Sequence, residues 1–161
     1  MRLYIVRHGR AAAAEGGDDF NRSLTERGER ELSLMAAKLK EQGCAPELII
    51  HSPLVRTTQT AALLHRGLGA GQVLVSERLK PGASVNNVLE EISGLTEFQS
   101  LMLVGHAPDV SLWSYRFLGH EPERQLRFEP GTVAEIHFSG KVAPKGGSLE
   151  YFCAPAEICT F

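Results

Sequence analysis

A chain of 161 residues is the length of one domain at about 100–200 residues per domain. Its 43% hydrophobic and 22% charged residues exclude disorder as the main state. Seventeen Lys+Arg against nineteen Asp+Glu leave a formal charge of −2, which argues against bulk attraction to nucleic acid or an anionic membrane. Cys44, Cys153 and Cys159 are sparse and contain no C-x-x-C pair, so a disulfide scaffold is not expected and a reducing compartment is. No apolar run approaches the ~18 residues of a membrane span, and the apolar start is too short for a signal peptide. The expectation is a soluble cytoplasmic protein forming a single domain over residues 1–161.

Leu3-Tyr4-Ile5-Val6 is a short apolar run stopped by Arg7-His8-Gly9, the pattern of a buried parallel strand opening into a loop. Residues 11–21 are small, acidic and glycine-containing, hence a loop. A helix follows, capped by Ser23 or Thr25, with Leu32, Met35, Ala36 and Leu39 at helical spacing and Gly43 at its end. Glu47-Leu48-Ile49-Ile50-His51 is a second strand, and Ser52 as N-cap with Pro53 at the first helical position predicts a helix directly after it. Residues 73–75 form a third strand, residues 85–92 a helix, and residues 101–104 a fourth strand ending at Gly105-His106. Pro108 opens a further helix that Gly119 closes. Residues 132–138 and 149–153, joined through Lys145-Gly146-Gly147, predict a hairpin. Strand and helix alternate through two thirds of the chain, so the fold class is α/β with a mostly parallel central sheet.

Three strands end in residues of one chemical kind: Arg7-His8-Gly9, His51-Ser52-Pro53 with Arg56 one turn on, and Gly105-His106. Ligands of open α/β sheets bind outside the carboxyl ends of the strands, which predicts one pocket holding His8, His106, Arg7 and Arg56. Two guanidinium forks suit the oxygens of a phosphoryl group, and the helix start at Ser52 adds backbone donors. A neutral imidazole can attack phosphorus and carry it covalently, its other nitrogen donating to a backbone carbonyl. The second histidine, if protonated, would donate to the transition-state oxygens.

Leu3-Tyr4-Ile5-Val6-Arg7-His8-Gly9, Leu24-Thr25-Glu26-Arg27-Gly28, Ser52-Pro53-Leu54-Val55-Arg56-Thr57-Thr58-Gln59-Thr60-Ala61 and Leu103-Val104-Gly105-His106 together resemble the histidine phosphatase superfamily, whose fold is phosphoglycerate mutase-like. The resemblance implies a three-layer α/β/α domain, and the short chain leaves little room for a lid insertion. It is most similar to the SixA-type phosphohistidine phosphatases. On that resemblance His8 is the phosphorylated nucleophile, Arg7, Arg56 and His106 complete the phosphate pocket, and Arg22 reaches it from the loop. The implied reaction is metal-independent and needs no cofactor; the implied partner is a phosphohistidine-bearing signalling or phosphotransfer protein. Many members carry an acid after a leucine that follows the third strand. Here that stretch reads Glu77-Arg78-Leu79-Lys80-Pro81-Gly82, as in the SixA type, which leaves Asp18 or Asp19 as the candidate proton donor.

Three alternatives stand beside this reading. One is a small-molecule phosphomonoesterase of the same superfamily, another a catalytically silent phosphate-binding module. The third is a zinc site on His8, His51 and His106, disfavoured by the arginines and by the missing H-x-x-x-H spacing. His51 is expected to be structural or to line the rim. His65, His120 and His137 are expected on the surface or in packing, Trp113 and Tyr115 in packing, and the cysteines to behave as small hydrophobes.

Overall fold

The computed structural model describes residues 1–119 and 126–158; His120 and Cys159 lie outside them. Six strands form one sheet: β1 (Arg2–Arg7), β2 (Leu48–His51), β3 (Gln72–Val75), β4 (Ser100–Gly105), β5 (Val133–Phe138) and β6 (Gly147–Cys153). Their spatial order is β3-β2-β4-β1-β5-β6. The first four run parallel, and β5 and β6 add an antiparallel hairpin beside β1.

Side-chain alternation along the buried strands feeds two cores. Leu3, Ile5, Leu48, Ile50, Leu101 and Leu103 face α3 (Val85–Ile92) and α4 (Asp109–Phe117), packing with Val88, Trp113 and Phe117. Tyr4, Val6, Ile49, Met102 and Val104 point the other way. They meet α1 (Glu26–Glu41) and α2 (Val55–Leu68) through Met35, Leu39, Ala61 and Leu64, and the short α5 (Pro155–Ile158) packs at this layer's edge. The result is the expected three-layer α/β/α sandwich. At the sheet margin the fit is looser: Val73, Leu74 and Val75 of β3 are exposed.

Local signals place α1 as its sequence predicts. Thr25 caps it by accepting from Gly28 N at 3.0 Å, and Gly43 takes the left-handed conformation just beyond its end (φ 78°). The start of α2 differs from expectation. Ser52 is not its N-cap; the helix begins at Val55, with Leu54 at the cap position. The Ser52 hydroxyl pairs instead with His106, 2.8 Å away, and its oxygen accepts from Leu54 N at 3.4 Å, ahead of the first helical residue. Trp113 is fully buried with its indole N–H on Ala83 O at 2.8 Å. Tyr115 is partly exposed, and its hydroxyl accepts from Leu126 N at 3.0 Å. Cys44 and Cys153 are buried free thiols, and burial pushes the Cys44 thiol up to about 12. No helix among the described residues is long and apolar enough to cross a membrane.

Gly28 sits where the first turn of α1 touches the backbone after β1. A Cβ there would collide with the Arg10 carbonyl oxygen, which already accepts from Thr25 N at 2.9 Å. Gly28→Ala is expected to destabilise the protein by about 1–3 kcal/mol, the range for overpacking, read as a fall in thermal midpoint. An unchanged midpoint would show that the loop moves aside without cost.

Candidate active site

Strand register brings the chemistry together. Arg7 lies opposite Gly105, and Val104 lies opposite His51, so β1, β4 and β2 run out at one level. The ladder continues one step further, with His8 N on Gly105 O at 3.0 Å and Ser52 N on Val104 O at 3.2 Å. His8, Ser52 and His106 therefore leave three adjacent strands side by side. Arg56 enters from the first turn of α2.

The two imidazoles lie 5.4 Å apart between centroids, tilted by 56°. His8 Nδ1 donates to the Gly9 carbonyl at 2.8 Å, and Arg56 Nε donates to His8 Nε2 at 3.3 Å. Nε2 thus carries the lone pair. Burial first, and then the charges of Arg56, Arg7 and Arg22, push His8 down to about 4. His106 is lowered further, to about 3, by burial and by His8 and the arginines. Desolvation and then the neighbouring cations favour the neutral form of both rings near pH 7, against a protonated second histidine.

A neutral His106 still has one N–H, and its neighbours decide where. Ser52 Oγ accepts from Leu54 N at 3.4 Å and pairs with His106 Nε2 at 2.8 Å; its one O–H is free to donate to that nitrogen. With that bond made, the proton of His106 sits on Nδ1, the same tautomer as His8. Nδ1 of His106 and Nε of Arg7 are both buried without a hydrogen-bond partner, a costly condition for polar atoms. Arg7 otherwise donates Nη1 to Phe128 O at 2.8 Å, and burial lowers its pKa.

The acidic loop supplies more than the spacing of its residues suggests. Asp19 receives Arg56 twice, its main-chain oxygen from Nη1 at 2.8 Å and its carboxylate from Nη2 at 3.2 Å. The same carboxylate accepts from Arg22 Nη1 at 3.1 Å, while Arg22 Nε holds Ala12 O at 2.7 Å. The structure thus brings Arg22 to the rim of the cluster through Asp19. The hydrogen bonds from Arg22 and Arg56 keep the Asp19 carboxyl below its ordinary range. Asp18 instead binds Asn21, 2.8 Å from Nδ2, in an exposed turn.

Several positioning residues carry no chemical signature in sequence. Thr60 Oγ1 accepts from Gly9 N at 3.0 Å, and Gln59 Oε1 from Leu24 N at 2.7 Å, so the polar face of α2 fixes the backbone on both sides of the acidic loop. Gly131 N bridges Arg7 O and His8 O at 3.1 and 3.0 Å. Buried Asp109 accepts from Gly82 N at 2.8 Å; its place directly after Pro108 was the one hint available. His51 is buried with Nδ1 on Ser52 O at 2.7 Å, and His137 is exposed. Among the described residues no cluster of three or more His, Cys, Asp or Glu is arranged to hold a metal ion.

Known proteins share this arrangement of chain. Residues 3–81 match the model of the histidine phosphatase superfamily (branch 1). An uncharacterised protein of Picosynechococcus is 36% identical over 117 residues, 71% of each chain. Among solved structures, a phosphohistidine phosphatase SixA from Agrobacterium tumefaciens is 28% identical with a TM-score of 0.82, covering 96% of this chain and 97% of that one. The protein histidine phosphatase SixA complexed with tungstate is 26% identical with a TM-score of 0.83, covering 98% and 99%. With an imidazole pair, two arginines and the SixA outline in one frame, the chain belongs to the histidine phosphatase superfamily and is a phosphatase of SixA-like form.

Proposed function

We propose that this protein removes the phosphoryl group from phosphohistidine on a partner protein, through a phosphohistidine formed on His8. The observation that carries the reading is the His8 ring itself, with Nδ1 locked on Gly9 O and Nε2 unprotonated beside Arg56. That is a nucleophile held in the reactive tautomer. Its lone pair attacks phosphorus, the P–N bond to the substrate ring breaks, and the bonding electrons leave with that ring. Water then attacks the phosphorus on His8, the new P–N bond breaks, and orthophosphate departs. Arg56, Arg7 Nε and His106 Nδ1 supply N–H donors to the phosphoryl oxygens.

The leaving group decides between substrates. An imidazole protonated on its far nitrogen departs neutral and needs no proton in the transfer step, whereas an alkoxide does. Asp19, the acid in contact with Arg56 among the described residues, is held in its ionised form and is a poor proton source; Asp18 points to Asn21. The near end-to-end alignment with the SixA structures supports the same choice, because it leaves no inserted lid between the pocket and a protein surface. The expected specificity is a kcat/KM for a phosphohistidine carrier protein that exceeds that for serine phosphate peptides and small phosphate esters by about 100-fold or more. That is the lower scale of a general acid's contribution. Comparable values would favour a small-molecule phosphomonoesterase instead.

His8→Ala is expected to abolish both turnover and an acid-labile, base-stable phosphoryl adduct. Arg56→Ala should reduce kcat by about 100- to 1,000-fold, the scale for losing one transition-state donor. An adduct that persists in His8→Ala would place the nucleophile elsewhere, and full inactivity of the parent protein on every phosphorylated substrate would favour a silent binding module.

The depressed imidazoles have a pH signature. Both lie below the ordinary histidine value of about 6.5, His8 at about 4 and His106 at about 3. Between those limits the unfolded chain binds protons that the folded pocket refuses, so stability falls as pH drops below about 6.5. Ring-proton NMR resonances of His8 and His106 should stay at neutral-form positions from pH 8 to pH 5. Midpoints near 6.5 for either ring would contradict the neutral-pair reading.

A further inference from the structure

The carboxylate of Asp19 occupies a place that neither a nucleophile nor a proton donor needs. It lies between Arg22 and Arg56, at 3.1 and 3.2 Å, although each guanidinium already has a shorter main-chain anchor: Ala12 O for Arg22 at 2.7 Å and Asp19 O for Arg56 at 2.8 Å. The Arg56 side chain is 5% exposed and the Asp19 side chain 56%. Aiming the two arginines is therefore the work of carbonyl groups. What the side chain adds is one negative charge, set against the cations that the proposed reaction turns on a phosphoryl group.

The loop carrying it is built to let that charge move while its backbone stays. Gly16 and Gly17 turn the chain with left-handed φ values of 59° and 79°. Beyond them Phe20 O takes the N–H of Val55 at 3.1 Å, tying the loop to the residue that begins α2. A rotation about the side-chain bonds of Asp19 would turn its carboxylate into solvent without breaking either carbonyl anchor.

We infer that Asp19 is an internal competitor for the phosphoryl dianion, exchanging with it on Arg56 and Arg22 and so limiting how tightly orthophosphate is held after hydrolysis. This rests on the reading of the pocket as a phosphoryl site. The physical reason is charge balance. Arg7, Arg22 and Arg56 together suit a transition state rich in oxyanion character, but the same three charges would also retain the product dianion. A carboxylate beside the pocket weakens the ground-state complex with product and returns to the arginines as phosphate leaves.

The test is calorimetric binding of orthophosphate to the full chain and to Asp19→Asn, which keeps the side chain's shape and removes its charge. Asp19→Asn is expected to bind orthophosphate about 3- to 10-fold more tightly at low ionic strength, with the gain shrinking in high salt as screening sets in. Product inhibition should tighten in parallel, and Asp19→Ser should move in the same direction. Unchanged or weaker orthophosphate binding would overturn the proposal and make the carboxylate a positioning group. Loss of folding in Asp19→Asn would overturn it too, since the carbonyl anchors would then be insufficient. Because no phosphorylated substrate enters the measurement, failure on phosphohistidine proteins leaves it intact, whereas a parent protein that binds no orthophosphate removes both readings.

Discussion

The pairing of β1 with β4 and of β4 with β2 sets the height at which each strand runs out, and the site hangs on that level. Arg7 opposite Gly105 and His51 opposite Val104 put three loops, distant in sequence, at one edge of the sheet. Parallel pairing of this kind is satisfied only when helices cover both faces, as the two apolar cores show. A slip of one residue in any of these strands would turn its apolar side chains to the wrong layer and lift one imidazole away from the other. Burial of Leu3, Ile5, Tyr4 and Val6 is thus the force that holds His8 in place.

Electrostatics then works against burial, and the site resolves the conflict with fixed dipoles. Buried Arg56 is stabilised by a carbonyl, a carboxylate and an imidazole lone pair. Each histidine is kept neutral first by burial and then by its cationic surroundings. Neutrality gives His8 a usable lone pair and gives His106 a single proton whose position the Ser52 hydroxyl selects. Two rings of the same residue type, 5.4 Å apart between centroids, are given different Nε2 partners, Arg56 for His8 and Ser52 for His106.

Much of this was legible beforehand because the relevant signals are local. Apolar runs cut off by Arg7-His8-Gly9, His51-Ser52 and Gly105-His106 announce strand ends, and the spacing of Leu32, Met35, Ala36 and Leu39 announces α1. Ligand binding at the carboxyl ends of parallel strands brought His8, Arg7, Arg56 and His106 into one expected pocket, and the family motifs assigned their roles. Ser52 misled because a serine before a proline signals a cap, whereas here its hydroxyl meets a histidine 54 residues away and the helix starts only at Val55. Asp19, Thr60 and Phe128 were invisible in their present roles, since a carboxylate in an acidic loop, a helical threonine and a main-chain carbonyl acquire meaning only when distant segments meet.

The hydrogen bond from His8 Nδ1 to Gly9 O reaches beyond holding a ring still. Because that nitrogen is spent on the neighbouring peptide, the proposed covalent species has a single regiochemistry, with phosphorus on the distal nitrogen of the imidazole. The chain thus fixes which constitutional isomer can form within the first nine residues of its length, whatever donor delivers the group.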